Sequence, residues 1–206
     1  MTSIRRAARA YDAVATDYDK RFRDELDGKP RDRELIDALA ERGSGLVLDV
    51  GSGPGHVGAR IRTFGRPVVA LDLSQAMAAL AATRLDAAAV ADMTSLPVAT
   101  ATVADLIAFY SVIHLPRPAL PAVLREFARV LETHGHALLS AHEGTHDVTV
   151  DEFLGHPVEL HATFLTLDEL THAAHDANLT VITAERRAPY PNEGSTQRLY
   201  VELEKT

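Results

Sequence analysis

The stretch VLDVGSGPGHVG, residues 47–58, is an apolar run broken only by Asp49, followed by glycines at 51, 53 and 55 and then a helical pattern. A buried strand that turns on glycines into a helix is the repeating unit of parallel α/β sheets. The glycines let the chain turn tightly and bring its backbone against a ligand where a side chain would stand in the way. The type of ligand is narrowed by what is missing. The dinucleotide pattern GxGxxG asks for glycine or alanine at position 56, where this chain has His56, and no Gly-Lys-Ser/Thr follows as in a P-loop. Between Asp49 and Ala59 there is no lysine or arginine, so a phosphate would find no charged partner.

The remaining pattern continues the alternation of strands and helices. RDRELIDALAER puts Leu35, Ile36 and Leu39 on one helical stripe ended by Gly43 and Gly45. VVALDL predicts a second strand, and Ser74 after it can cap the helix carrying Met77 and Leu80. AAAVAAD predicts a short third strand, and the nearly all-apolar VADLIAFY a central fourth. Pro116, Pro118 and Pro121 mark the entry to a helix with Val123, Leu124, Phe127, Val130 and Leu131. HALLSAH is the fifth strand, and Glu143 to about Pro157 reads as a long connection rich in histidine and acid. Thr166 and Glu169 form a capping box, and NLTVITAERR and TQRLYVEL read as a hairpin-like pair at the sheet edge. No repeat or linker divides the 206 residues, so one domain is expected.

Ligands of open α/β sheets sit beyond the carboxyl ends of the strands. That rule gathers Gly51 to Gly55, Asp72, Asp92, Tyr110 to His114 and His142 at one edge. Asp72 ends the second strand about 20 residues beyond the glycine turn, where a carboxylate takes ribose hydroxyls. Acidic residues around such a turn suit S-adenosylmethionine, whose amino-acid end is a zwitterion, whose sulfur is a cation and whose ribose offers two hydroxyls. Asp49 would attract the ammonium group directly or through water, and the loop amides would approach the carboxylate and the adenosine.

The chain resembles the class I S-adenosylmethionine-dependent methyltransferases of the small-molecule type. DVGSGPG is similar to that family's first motif, LDLSQAM to its acidic-loop motif, and ADMTSLPVATATVADLIAFYSVIHL to its third and fourth. The resemblance implies a Rossmann-like seven-stranded sheet, mostly parallel with one antiparallel edge strand and helices on both faces. It also implies a cofactor site made of Asp49, Gly51, Ser52, Gly53, Gly55, Asp72, Leu73, Met77, Asp92, Met93 and Tyr110, with Asp92 and Met93 at the adenine. The N-terminal YDAVATDYDKRF resembles the family's lid, so residues 1–30 are expected to cover the cofactor through Tyr11 and Tyr18; simple packing of those tyrosines on one helical face is the competing expectation. LSAHEGTHDVTVDEFLGHPVELH and PYPNEGSTQRLY resemble a subset in which His142, His156, Glu193 and Arg198 shape the acceptor pocket, making 143–165 a substrate-side insertion. Glu193 and Arg198 read equally well as a surface ion pair.

Methyl transfer from a sulfonium is an in-line displacement, so alignment and exclusion of water carry the chemistry, and a base is needed only when the acceptor arrives protonated. His142 and His114, each following a central strand, are the candidates. The histidines at 142, 146, 156 and 161 match no compact zinc spacing, so no metal is expected. The absence of cysteine removes disulfides and thiolate chemistry. A net charge of −8 argues against a nucleic-acid surface. With no apolar run of roughly 18 residues, a cytoplasmic monomer or homodimer acting on a small molecule is expected. The rival functions are a cyclisation or rearrangement with the cofactor bound, and a cofactor-binding partner subunit without turnover.

Overall fold

The computed structural model describes residues 3–206, and the first two residues of the expected 1–30 lid lie outside it. Val47–Val50 (β1) is buried at every position, and alternate side chains serve two cores. Leu48 and Val50 pack with Leu106, Ala108 and Phe127, whereas Val47 packs with Ile36, Ile61 and Ile107. A strand apolar on both faces must be covered on both, and its neighbours supply that cover.

Along the chain, α1 (Ser3–Phe22) and a 3₁₀ turn (Glu25–Gly28) precede α2 (Pro30–Arg42) and β1. Then follow α3 (His56–Arg62), β2 (Val68–Asp72), α4 (Gln75–Ala81), β3 (Ala87–Val90), β4 (Val103–Phe109), α5 (Leu120–Val130) and β5 (Leu131–His142). The chain closes with β6 (Asp147–Phe153), β7 (His156–Thr163), α6 (Leu167–Asp176), β8 (Leu179–Arg187) and β9 (Arg198–Lys205). Seven strands form one sheet in the order β3-β2-β1-β4-β5-β9-β8. β1 pairs in parallel with both β2 and β4, so the strand order reverses there and a crevice opens beyond their carboxyl ends. The sheet is mostly parallel. Its antiparallel strand, β9, sits one place in from the edge, between β5 and β8.

Local chemistry places the helix starts. Ser74 Oγ accepts from Met77 N at 3.1 Å, and Thr166 with Glu169 makes the reciprocal capping box. The expected long connection after β5 is instead a hairpin, β6–β7, turned by Leu154 and Gly155 at φ of 53° and 80°. Leucine is an unusual residue for a two-residue turn with both φ positive, and Pro157 inside the second strand further hides the pattern. The hairpin lies on α1, where Leu160 meets Ala7 and Ala10.

Candidate functional site

The loop after β1 is shaped by positions that only glycine serves. Gly51 has φ +68, and a Cβ there would fall 2.2 Å from Ser111 Cβ. Its bare backbone therefore lets the ends of β1 and β4 close together, with Met93 alongside. Gly55 has φ +84 and caps α3, and a Cβ on it would sit 3.0 Å from Ala81 Cα. Gly55 thus seats α3 against α4. At the end of β4, Tyr110 holds φ 51, a left-handed conformation rare for a bulky residue, with its amide hydrogen-bonded to Ser140.

These turns border one cleft lined by Tyr11, Tyr18, Asp49, Gly51, Ser52, Gly53, Asp72, Leu73, Met77, Asp92, Met93, Tyr110 and His114. Its empty space, counted out into the open mouth, is ≈ 1080 Å³. Asp49 is buried beneath the loop, with Oδ2 accepting from Gly58 N at 3.1 Å. Burial pushes its carboxyl up to about 7, against the nearby His56 and the Gly58 bond. Asp72 accepts from Gly53 N and Ser74 N, both at 2.8 Å, tying the glycine loop to the end of β2; burial raises its pKa also. Asp92 accepts from Thr94 N at 2.9 Å and Thr94 Oγ1 at 2.7 Å. From β3 to β1, then, one carboxylate stands at each strand end. No lysine or arginine lines the cleft among the described residues.

Helix α1 closes one side. Asp12 accepts from Ser74 Oγ at 2.6 Å and from Ala76 N at 3.0 Å, anchoring α1 on the start of α4. Tyr11 and Tyr18 meet edge to face at 5.8 Å, and Phe153 of the hairpin touches both. Tyr11 also donates its hydroxyl to His114 Nε2 at 2.8 Å, while His114 Nδ1 donates to the His161 carbonyl at 2.9 Å. Burial lowers the His114 pKa, which keeps the ring neutral and fits that tautomer.

Behind Tyr110 lies a buried polar network. Tyr200 donates to Asp32 Oδ1 at 2.6 Å and receives from Arg187, which also holds Glu193 at 2.8 Å. Burial works to raise Glu193, but Arg187 and the Tyr190 amide hold it down at about 2. His142 stacks on Tyr110 and Phe164, with Nδ1 3.0 Å from Thr196 Oγ1. Burial, then Arg198 and Lys29, push the His142 pKa down to about 4.

Residues 47–135 match a family model described as a methyltransferase domain. Over those residues the chain is similar to that family, and its fold is the class I methyltransferase fold. Over 142 residues it is 33% identical to the biotin biosynthesis bifunctional protein BioHC of Cellvibrio japonicus (strain Ueda107), a match spanning 66% of this chain but 27% of that protein. A solved S-adenosylmethionine-dependent methyltransferase from Leishmania major superposes with a TM-score of 0.73 at 15% identity, covering 97% of this chain and 82% of the other. The 4+2 cyclase SpnF gives a TM-score of 0.64 at 19% identity, over 84% of this chain and 81% of its own. At such identities the two structures speak for the fold alone.

Within this fold the residues expected at the cofactor line the cleft, with one exception. Gly55 does not: its conformation serves the contact between α3 and α4. Of the two expected catalytic histidines, His114 lines the cleft with both nitrogens engaged, and His142 lies one layer back. His156 is not at the cleft but on the hairpin, 3.0 Å from Asp17 of α1. Glu193 and Arg198 are buried in the network, 3.6 Å apart, and neither lines the cleft nor forms a surface pair. The cleft also takes in Glu25, Asp32, His56, Phe109, Ser111 and Leu115. Ser111 adjoins Tyr110 in sequence and was within reach of the strand-end rule. Glu25 and Asp32 arrive from elements packed across the cleft, and no local spacing announces that. Among the described residues no helix is long and apolar enough to cross a membrane.

Proposed function

We propose that the protein is an enzyme that binds S-adenosylmethionine and transfers its methyl group to an oxygen, nitrogen or sulfur of a small organic acceptor. The observation that carries this reading is the row of carboxylates Asp49, Asp72 and Asp92 at successive strand ends around Gly51 and Gly53, in a cleft that no lysine or arginine lines among the described residues. Its residues fit the cofactor. Gly51 keeps the backbone of the loop bare where it borders the cleft, Asp49 offers charge to an ammonium, and Asp72 offers oxygens to ribose hydroxyls. Asp92 with Met93 offers an acceptor and an apolar face to the adenine. When bound, the cofactor supplies an electrophilic methyl on a sulfonium, attacked in line.

The chain's own residues then bind, orient and exclude water. Tyr11 and Tyr18 cover the cleft from α1, and His114 fixes the Tyr11 hydroxyl by accepting its hydrogen bond. His142 acts on the acceptor side; with a pKa near 4 it is neutral at pH 7 and serves better to orient an acceptor than to hold its proton. Glu193 and Arg198 support that wall from behind, and His156 acts on the lid through Asp17. Closure by α1 and the hairpin favours a small acceptor over a polymer. Both the proposed cytoplasmic location and the monomer or homodimer state follow from the sequence reading.

A second reading, rearrangement or cyclisation with the cofactor bound, is favoured by one feature: His114 is fully engaged and His142 is a weak base, so neither expected histidine is a strong base for an acceptor. Incubation with methyl-labelled cofactor and candidate acceptors, followed by mass analysis, separates the two. Methyl transfer adds one methyl to the acceptor; a rearranged skeleton of unchanged mass would overturn methylation in favour of the second reading.

A further inference from the structure

Asp12 and Asp19 stand seven residues apart on α1 and so share one face of the helix, two turns from each other. Asp12 takes Ser74 Oγ at 2.6 Å and Ala76 N at 3.0 Å at the start of α4, and the Ser74 amide in turn donates to Asp72, whose other oxygen takes Gly53 N. Asp19 is gripped just past the far end of α4, by Arg84. Arg84 Nη2 donates to Asp19 Oδ2 at 2.9 Å, its Nη1 stands 2.8 Å from Oδ1, and the same Nη1 donates to the Pro54 carbonyl at 2.6 Å. Both anchors of α1 therefore lead through relays to consecutive residues of the glycine loop, Gly53 and Pro54.

Neither Arg84 nor Asp19 lines the cleft, so neither is placed to touch a ligand there. Their contact is nonetheless more than a surface ion pair. Asp19 is only 6% exposed, and a carboxylate with so little water depends on its cationic partner. The planar guanidinium reaches two elements at once, as a point charge on a lysine would not. Ser52 to Gly55 form a turn closed by Gly55 N on Ser52 O at 3.0 Å, and the carbonyl that Arg84 fixes belongs to that turn. Beside it Gly53 holds φ +52, and Tyr18 of α1 packs 4.0 Å from the place its Cβ would take. Loss of Arg84 would release the Pro54 carbonyl and α1 together, whereas Asp19 would keep Arg23 at 3.4 Å as a second partner.

We infer that Arg84 and Asp19 are positioning residues of the cofactor site: Arg84 fastens α1 to the glycine loop, so that cover and loop hold the cofactor as one unit. The fastening stands on the contacts alone; its effect on the cofactor rests on the S-adenosylmethionine reading above, and the test keeps the two apart. Hydrogen exchange of the ligand-free protein and calorimetry with S-adenosylhomocysteine are run on the wild type, Arg84→Gln, Asp19→Asn and the double variant. Exchange in Arg84→Gln is expected to quicken together in α1 and in Gly51 to Gly58, while β1, β4 and β5 keep their protection. Affinity for S-adenosylhomocysteine is expected to fall about 10-fold in Arg84→Gln, within the range for residues that act on a site without touching its ligand. Asp19→Asn should give a smaller loss of the same sign, and the double variant no more than about 2-fold beyond Arg84→Gln, because the two act through one contact. Asp19→Asn keeps the shape of the side chain and covers the case in which Arg84→Gln does not fold. Quickening in α1 without the loop, or equal quickening in the central strands, would overturn the fastening. Unchanged affinity in folded variants, or losses that simply add, would overturn the positioning role. A wild type that does not bind S-adenosylhomocysteine would overturn the cofactor reading, and the exchange comparison would still decide the fastening.

Discussion

In the proposed recognition of the cofactor, two single side chains carry testable costs. Asp72 spends part of its acceptor capacity on Gly53 N and Ser74 N, so it both shapes the loop and faces the proposed ribose. Asp72→Ala is expected to weaken S-adenosylhomocysteine by about 1.5–3 kcal/mol in calorimetry, and unchanged affinity in a folded variant would mean the ribose lies elsewhere. Asp49 bears a different cost. Its folded pKa, about 7, lies above that of an unfolded aspartate, so the stability it contributes is complete below the unfolded value and is lost as pH rises toward and through 7. Asn cannot ionise. Ligand-free Asp49→Asn should therefore melt above the wild type at pH 8, with the advantage shrinking toward pH 4, while its affinity for the cofactor product falls. A variant less stable than wild type at pH 8 would show that Asp49 is not a strained, ligand-directed charge.

Elements decide how the cleft is covered. α1 is anchored to α4 through Asp12 and to the hairpin through Asp17 with His156 and Arg6 with Glu159, and Phe153 packs on Tyr11 and Tyr18. Phe153→Ala removes the hairpin's aromatic hold on both tyrosines. Hydrogen exchange should then quicken in α1 while β1, β4 and β5 keep their protection; equal quickening in the central strands would mean that the hairpin supports the whole fold rather than the cover. The main elements were legible in the sequence because each is governed by local periodicity: the apolar runs of β1, β2 and β4, the stripe of α5, and the caps at Ser74 and Thr166. The hairpin was not legible, because Leu154 replaces the glycine or asparagine that would signal its turn. The seat of β9 between β5 and β8 is likewise a tertiary choice. Strand-end residues of the site could be found by the same rule that places ligands in such sheets, whereas Glu25, Asp32 and the partners of His114 depend on which helix crosses the cleft.

The whole molecule is an open sheet whose reversal between β1 and β4 creates the crevice, with the proposed cofactor carboxylates on the β1–β3 side and the Tyr110, His142 and Arg187 network on the β4–β9 side. That division predicts separable defects. His142→Ala should lower turnover while leaving affinity for S-adenosylhomocysteine nearly unchanged, and wild-type turnover would remove His142 from the acceptor side. The central claim is that the glycine loop with its acidic strand ends takes an adenosyl sulfonium rather than a phosphate-bearing cofactor. Titration calorimetry of the intact protein with S-adenosylhomocysteine and, separately, with NAD tests it most directly. The account predicts saturable binding of the first and none of the second; binding of NAD alone, or of neither, would contradict it.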